Sequence, residues 1–223
     1  MKKVMILSAS PKKGEPSVSA LLCELAKEHF VSAGLQADIV DVGKTLKNSE
    51  PIFDAMRNAD ALLIVFPLYF FCLPGMLTRF LEDYAKSAGE KRAGQKIFTI
   101  VNCGFPEPNI NEEAIRVIHS FARHVGGDFG FGVSFGSGGM ALGAKDAPFM
   151  KKPMADLNSA FNRMAAAIQQ NTQPSADTVC IGVKIPRWMY FLGGNMGWGQ
   201  MAKKNGLKKK DLYRQPYKAA ESK

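Results

Sequence analysis

Two short segments of the sequence combine side chains that suit the binding of a ligand. The first reads "SASPKKGEPSVS" from Ser8 and lies between an apolar run and an amphipathic pattern. Its hydroxyl and ammonium donors are Ser10, Ser17, Ser19, Lys12 and Lys13. Where a strand passes into a helix, the unpaired N–H groups and the dipole of the first helical turn also attract anions. The segment therefore predicts a phosphate site, with plain helix capping by serine as the alternative.

The second segment, "PLYFFCLPG" from Pro67, places three aromatic side chains in a turn. Tyr69, Phe70 and Phe71 follow the strongest strand signal of the chain, Ala61–Phe66. Aromatic side chains in a loop above a crevice suit a flat ring, whose polar edge backbone N–H groups can reach. Because large aromatic side chains are mostly buried for packing, this segment alone favours closure of the core or a contact between subunits.

Five apolar or alternating runs, separated by amphipathic stretches, position these segments. Strands that alternate with helices at this spacing predict a parallel sheet covered by helices on both faces. The predicted strands are Lys2–Ser8, Leu35–Val42, Ala61–Phe66, Gln95–Asn102 and Asp128–Phe135. In a doubly wound α/β fold, ligands bind at the carboxyl ends of the strands. Both segments follow strand ends, so we expect them at the same edge of the sheet.

Two connections carry local signals of their own. Asn109 with Glu112 resembles a capping box, which predicts a helix start at this point. The glycine-rich run "GSGGMALG" from Gly136 formally fits a dinucleotide fingerprint, but two prolines follow it and no clear strand does. We therefore interpret this run as a mobile loop near the site.

The four cysteines are widely spaced and form no C-x-x-C pair. Together with the short apolar run at the start of the chain, this spacing predicts a reducing, cytoplasmic compartment. Cys72 and Cys103 follow two neighbouring strands, so a redox pair is one interpretation of them. Small buried apolar groups are the simpler interpretation. The histidines show no metal-ligand pattern, and we expect no metal site.

The two segments together resemble a known family. "SASPKKGEPSVSALL" resembles the phosphate loop of the flavodoxin-like NAD(P)H-dependent FMN reductases, usually G-S-P-R-x-x-G-N-T-S before an apolar helix. "ADALLIVFPLYFFCLPGMLTRFLE" is similar to the third strand, flavin loop and next helix of that family, usually ending "PLYFGSMPGQLKxFLDR". The resemblance covers about the first 130 residues. It implies a flavodoxin-like, doubly wound, five-stranded parallel sheet that binds FMN and accepts electrons from NADPH or NADH.

The resemblance also implies which residues hold the cofactor. The FMN phosphate would be surrounded by Ser10, Lys12, Ser17, Val18 and Ser19. The isoalloxazine ring would be lined by Pro67, Leu68, Tyr69 and Phe70, with Asn102, Cys103 and Gly104 at its other edge. Tyr69 and Asn102 are the residues expected to tune the ring, and no side chain is assigned a catalytic role. The chain departs from the family pattern at Ala9, Lys12, Phe71 and Cys72, and its phosphate loop is one residue longer.

These observations favour an FMN-dependent NAD(P)H oxidoreductase that passes two electrons to a small acceptor such as a quinone or a flavin. The alternatives are a flavodoxin-type electron carrier and a non-enzymatic flavin-binding interaction module. Of the net charge of +9, residues 184–223 carry +8 and residues 1–183 only +1. A nearly neutral body differs from the acidic carriers, and it indicates no nucleic-acid-binding face. We expect a homodimer.

The C-terminal part of the chain differs from the rest. We place a flavodoxin-like domain at residues 1–172 and an extension, with an aromatic segment and a basic tail, at residues 173–223. A helix is predicted from near Pro186 to Gly206, weakened by four glycines. Its aromatic residues beside lysines have three interpretations: packing on the domain or a second subunit, contact with an anionic membrane surface, or binding of an acidic protein or nucleic acid. Packing of the aromatic part, with a solvated basic end, is the favoured one.

Overall fold

A parallel sheet of six strands forms the centre of the protein. The computed structural model describes residues 1–12, 15–87, 93–184 and 186–215 of the chain, so Lys13 lies outside the described residues. The strand order is β2-β1-β3-β4-β5-β6, and every neighbouring pair is parallel. The strands are β1 (Lys3–Ser8), β2 (Gln36–Asp41), β3 (Ala61–Pro67), β4 (Lys96–Asn102), β5 (Asp128–Phe135) and β6 (Val179–Ile181).

Helices connect the strands and cover the two faces of the sheet. They are α1 (Val18–Ser32), α2 (Val42–Thr45), α3 (Glu50–Asn58), α4 (Gly75–Lys86), α5 (Glu112–His124), α6 (Gly138–Ala144), α7 (Lys151–Gln170) and α8 (Arg187–Lys204). Short 3-10 turns occur at Pro108–Asn111, Pro148–Met150 and Lys209–Tyr213.

The core has two layers because β3 and β4 are apolar on both sides. All of Ala61–Phe66 is buried. Leu62, Ile64 and Phe66 belong to one apolar cluster with residues of α3, α4 and α5. Successive side chains of a strand point to opposite faces, so Leu63 and Val65 face the other layer, where α1 contacts β1 and β3. The predicted α/β fold with a parallel sheet is confirmed.

The predicted number of five strands was wrong. Val179–Ile181 forms a sixth strand, which pairs in parallel with the end of β5. Three residues are too short for a periodicity signal, and only the position beside β5 makes them a strand. The chain divides into two compact units, Met1–Val183 and Lys184–Lys223, and the domain boundary near residue 172 stays a prediction. The predicted C-terminal helix is present as α8.

Two predictions about connections were also wrong. The glycine-rich run is not only a loop, because α6 forms within it directly after Ser137, whose φ is 56°. The helix expected to start with a capping box begins instead at Glu112, with Asn111 as an N-cap that makes no side-chain cap bond. The Asn111 amide is used elsewhere, since its Nδ2 donates to the Val101 carbonyl and to Ser134 Oγ.

Among the described residues, none of the helices combines the length and the apolar character required to cross a membrane.

Candidate active site

The carboxyl ends of β1, β3 and β4 lie side by side at one edge of the sheet. Ser8 is in register with Val65, and Pro67 with Asn102. Two backbone bonds extend this alignment into the loops: Ala9 N–H donates to the Val65 carbonyl at 2.9 Å, and Leu68 N–H to the Asn102 carbonyl at 2.8 Å. The structure therefore brings the serine-and-lysine segment and the aromatic segment to the same edge.

The first segment ends in a capped helix start. Ser17 is the N-cap of α1, with φ −127°, and its Oγ accepts from Ala20 N–H at 3.0 Å. The N–H groups of Val18 and Ser19 belong to the first turn, where a helix offers no acceptor of its own. Capping is compatible with anion binding here, because the cap uses a single N–H and the Ser17 hydroxyl, which accepts that bond, can still donate its own hydrogen.

A cavity of about 490 Å³ opens beside this helix start. Its walls carry Ser10, Lys12 and Ser17 from the first segment, and Asp41 and Lys44 from the end of β2 and the start of α2. Sequence reasoning missed Asp41 and Lys44. The strand order places β2 next to β1, so the end of β2 borders the loop after β1. Only that order, and no local motif, reveals their place in the site.

The charged groups of the cavity are arranged around Asp41. Its Oδ1 accepts from Gly43 N–H at 2.9 Å and so caps α2. Its Oδ2 lies 3.9 Å from Lys44 Nζ, a loose and exposed ion pair. Lys12 is exposed, and its N–H reaches Ser10 Oγ at 3.4 Å. Glu15 also lines the cavity, so the charged side chains of its walls are two lysines and two carboxylates, and the suitability for an anion rests on the helix start rather than on net charge.

The aromatic segment forms a two-residue turn. Tyr69 N–H and Cys72 N–H each donate to the carbonyl of the other residue, at 3.0 and 2.9 Å. Phe70 and Phe71, at the centre of the turn, have φ of 46° and 60°, in the left-handed region that bulky residues rarely occupy. Their side chains are 99% and 63% exposed, and that of Tyr69 is 41% exposed. The interpretation that these aromatic residues close the core is therefore wrong.

Asn102 and Ser19 are engaged with each other. Asn102 is buried, and its Nδ2 donates to Ser19 Oγ at 2.9 Å and to the Phe66 carbonyl at 3.0 Å. Both N–H bonds of the amide are used within the protein, so they are not directed at a ring edge. Likewise the Ser19 hydroxyl is buried and accepts from Asn102. This bond joins the first turn of α1 to the end of β4.

The loop after β4 and the glycine-rich run meet at this edge. Gly138 N–H donates to the Cys103 carbonyl at 2.8 Å, and Ser137 N–H to the Phe105 carbonyl at 2.6 Å. A Cβ on Gly138 would lie 3.2 Å from both the Cys103 carbonyl oxygen and Val18 Cγ1, so the close approach favours glycine. The start of α6 therefore borders the first turn of α1. Gly104, the third residue expected at the ring edge, is exposed in the same loop.

The two cysteines at this edge differ in reactivity. All four cysteines are free, with Cys72 exposed and Cys103 buried. Burial raises the pKa of the Cys103 thiol, and its S–H lies 3.5 Å from the Phe105 carbonyl. A protonated, buried thiol is a weak nucleophile, which favours the interpretation of Cys103 as a small buried group. Within the described part of the chain, no cluster of histidine, cysteine and carboxylate side chains could hold a metal ion.

The order β2-β1-β3-β4-β5, with a ligand site at the strand ends, defines a flavodoxin-like α/β protein. The NADPH-dependent FMN reductase family matches residues 2–127, more than half of the chain. The chain therefore belongs to this family.

Solved structures share this fold. An NADH:FMN oxidoreductase in its apo form is 20% identical with a TM-score of 0.58, over 75% of this chain and 90% of that one. An NADPH-quinone reductase from P. pentosaceus is 16% identical with a TM-score of 0.54, over 74% and 98% of the two chains. General stress protein 14 from Treponema denticola, in complex with FMN, is 16% identical with a TM-score of 0.53, over 77% and 100%. No curated protein matches the sequence.

The donors at this edge fit the phosphate end of FMN. Ser10, Lys12, Ser17 and Lys44 line one cavity, and the start of α1 reaches it through Ser17 and Ala20. These are the groups that bind phosphate at helix starts. In the aromatic turn, the two backbone hydrogen bonds use the N–H groups of Tyr69 and Cys72. Among the described residues, the N–H groups of Phe70 and Phe71 are therefore available to an acceptor atom of the FMN ring.

Proposed function

We propose that the protein is an FMN-dependent NAD(P)H oxidoreductase that passes two electrons to a small acceptor such as a quinone or a flavin. The observation that carries this proposal is the cavity at the start of α1, which Ser10, Lys12 and Ser17 line at the same edge of the sheet as an exposed aromatic turn. The family membership and an FMN-bound relative support the choice of cofactor.

The protein would hold FMN at two ends. Ser10, Lys12, Ser17 and the N–H groups of Val18 and Ser19 would bind the phosphate, with Lys44 adding charge. The ring would lie against Pro67, Leu68, Tyr69 and Phe70, near the loop of Asn102, Cys103 and Gly104. When bound, FMN would supply the redox chemistry, a two-electron exchange between NADH or NADPH and the acceptor.

The residues of the chain would then hold and orient the cofactor and the acceptor, and would carry out no acid–base step. The Asn102–Ser19 bond holds the first turn of α1, and thereby the phosphate donors, in place relative to β4. The turn at Tyr69–Cys72 holds an exposed aromatic surface against which a flat acceptor can stack. A preorganised site of this kind speeds transfer because it fixes distance and orientation before the reaction.

Spectra and turnover test this proposal. The purified protein is expected to show flavin absorption, or to take up added FMN, and to oxidise NADH or NADPH in the presence of a quinone. A colourless protein that takes up no FMN would refute it. Flavin binding without turnover would favour the alternatives, an electron carrier or a flavin-binding interaction module.

Site variants localise the phosphate contacts. Lys12→Ala should weaken FMN binding about tenfold, because it removes one charge-assisted contact to the phosphate. The matched control is Lys47→Ala, an exposed lysine outside the lining of the cavity. FMN affinity is measured by the quenching of flavin fluorescence on binding. Equal affinities for the two variants would place the phosphate elsewhere.

The homodimer and the reducing, cytoplasmic compartment stay predictions. Four free cysteines support the compartment, and sedimentation velocity measures the assembly.

A further inference from the structure

The second compact unit exposes an unusual amount of apolar surface. Within its described residues, Ala202 is the single buried one. Seven large apolar side chains of α8 are between 47% and 66% exposed: Trp188, Met189, Phe191, Leu192, Met196, Trp198 and Met201. Surface apolar residues are normally scattered singly, and a contiguous set of this size marks an interaction site.

Most of these side chains share one side of the helix. At 3.6 residues per turn, Trp188, Phe191, Leu192, Met196 and Trp198 spread over nearly half of the circumference of α8. Asn195, Gly199, the buried Ala202 and Lys203 lie within the same arc, whereas Gly193, Gly197 and Met201 lie outside it. Glycines lower helix stability in water, so a surface that covers the apolar face would stabilise α8.

The unit is strongly basic as well as apolar. Among described residues 184 and 186–215, eight are basic: Lys184, Arg187, Lys203, Lys204, Lys208, Lys209, Lys210 and Arg214. Asp211 is the single acid of this stretch, and its carboxylate is already engaged by Arg214 at 2.8 Å and by Lys208 N–H at 2.7 Å. The electrostatic field of this unit is therefore positive.

Cation and apolar groups also meet in one groove. Trp198, Leu212 and Tyr213 line a space of about 420 Å³ together with Asn195 and Lys209. An aromatic and aliphatic wall beside an ammonium group suits a molecule with an anionic head and an apolar chain.

We propose that the described part of this unit, residues 186–215, docks on an anionic lipid surface, with the exposed apolar side chains of α8 entering the headgroup region and the lysines of residues 203–210 facing the lipid phosphates. Segments that combine tryptophan, leucine and phenylalanine with flanking lysines bind at such interfaces. Two copies of this unit repel each other because both are positively charged. A nucleic acid would engage the lysines and leave the aliphatic side chains of α8 in water. The proposal rests only on this unit and is independent of flavin binding.

The experiment uses the full chain and its own tryptophans. The chain has two tryptophans, Trp188 and Trp198, and both lie in α8, so tryptophan emission, excited selectively over tyrosine, reports on this unit alone. Phosphatidylcholine vesicles with phosphatidylglycerol are expected to cosediment the protein, blue-shift its emission and, when their chains are brominated, quench it. Pure phosphatidylcholine should bind at least about tenfold more weakly, because each lysine near the surface adds attraction to anionic lipid. Added salt should weaken the binding.

Paired variants separate the two contributions. Lys203→Glu with Lys204→Glu should reduce binding to anionic vesicles at least about tenfold, while Phe191→Ala with Leu192→Ala should reduce both binding and the blue shift. The charge-matched control, Lys47→Glu with Lys145→Glu, changes two exposed lysines of the first unit and should bind as the parent does. The circular dichroism spectrum of each variant, at equal flavin content, verifies that it is folded.

Three results would overturn the proposal. One is the absence of cosedimentation with anionic vesicles. Another is a blue-shifted emission without lipid that depends on protein concentration, since this would mean that a second copy covers α8. The third is binding of RNA by a chain that ignores vesicles.

Discussion

At the scale of single residues, the pair Asn102 and Ser19 shows how the site is held. The two residues are buried and joined by a bond of 2.9 Å, although they are 83 positions apart in the chain. From the family resemblance, Ser19 was expected around the FMN phosphate and Asn102 at an edge of the ring. Their side chains contact each other, so we expect them to act on a ligand through the position of α1.

This arrangement predicts the effect of removing one hydroxyl. Ser19→Ala should lower the free energy of unfolding by about 1–2 kcal/mol, because one buried N–H of Asn102 loses its acceptor. The exposed Ser120→Ala on α5 serves as control and should change it by less than about 0.5 kcal/mol. Urea denaturation measures both values. A Ser19→Ala protein as stable as the control would show that this bond contributes little.

The cysteines allow a second prediction at the residue scale. Burial raises the pKa of the Cys23 thiol to about 12, and burial also raises that of Cys103. Since the thiolate is the reactive form, the native protein at pH 8 should expose only Cys72 and Cys180 to a thiol reagent, and the denatured protein all four. Burial, and then the Glu112 carboxylate, raise the pKa of Cys180 as well, so its reaction should be slow.

A Cys72→Ser variant checks that Cys72 is the thiol that reacts quickly, because this variant should lose the fast phase of labelling. Rapid labelling of Cys103 in the native protein would revive the interpretation of a redox pair.

At the scale of elements, the aromatic turn after β3 is the most unusual part of the site. Two adjacent phenylalanines adopt left-handed backbone conformations and expose their rings. Such conformations cost about 1–2 kcal/mol for each non-glycine residue. Strain of this kind gathers at functional sites, where the surrounding structure maintains it. The usual family pattern has glycine at the position of Phe71, so the ring at this position comes with backbone strain.

Phe71→Gly should therefore stabilise the protein by about 1 kcal/mol, because glycine adopts a positive φ without a steric penalty. Phe71→Ala retains the strain and provides the control. Chemical denaturation of both variants gives the comparison, and equal stabilities would contradict the strain argument. If the ring also serves a flat acceptor, both variants should raise the KM for a quinone and leave FMN affinity unchanged.

At the scale of the whole molecule, the chain consists of two units of different character. The buried core lies almost entirely within Met1–Val183, and the described residues of the second unit add only Ala202. The first unit therefore contains the apolar burial that stabilises a domain, whereas the second presents its apolar side chains to solvent.

A chain that ends at Val183 should consequently remain folded. Its Tm is expected within about 4 °C of that of the full chain, since little buried surface is lost, and its FMN affinity should be unchanged. Thermal unfolding followed by circular dichroism, with a flavin titration, measures both. A truncated chain that aggregates or fails to bind FMN would show that the second unit stabilises the first.

Local sequence patterns were sufficient to predict those elements whose structure depends on one short segment. The apolar run at Ala61–Phe66 and the serine-capped start of α1 were predictable, because a buried strand and a helix start each carry their signal within a few residues. The start of α5 was mispredicted because Asn111, the actual N-cap, uses its amide to bond β4 and β5. A long-range bond of that kind leaves no trace in the neighbouring sequence.

The sequence by itself determined most of the elements and the parallel sheet, since apolar periodicity and turn residues act over short distances. Only the tertiary structure decided the details of the site. The order β2-β1-β3 put Asp41 and Lys44 beside the phosphate loop, and packing turned Ser19 and Asn102 toward each other and Phe70 toward solvent. Each of these outcomes depends on contacts between residues far apart in the chain, and such contacts exist only once the sheet has formed.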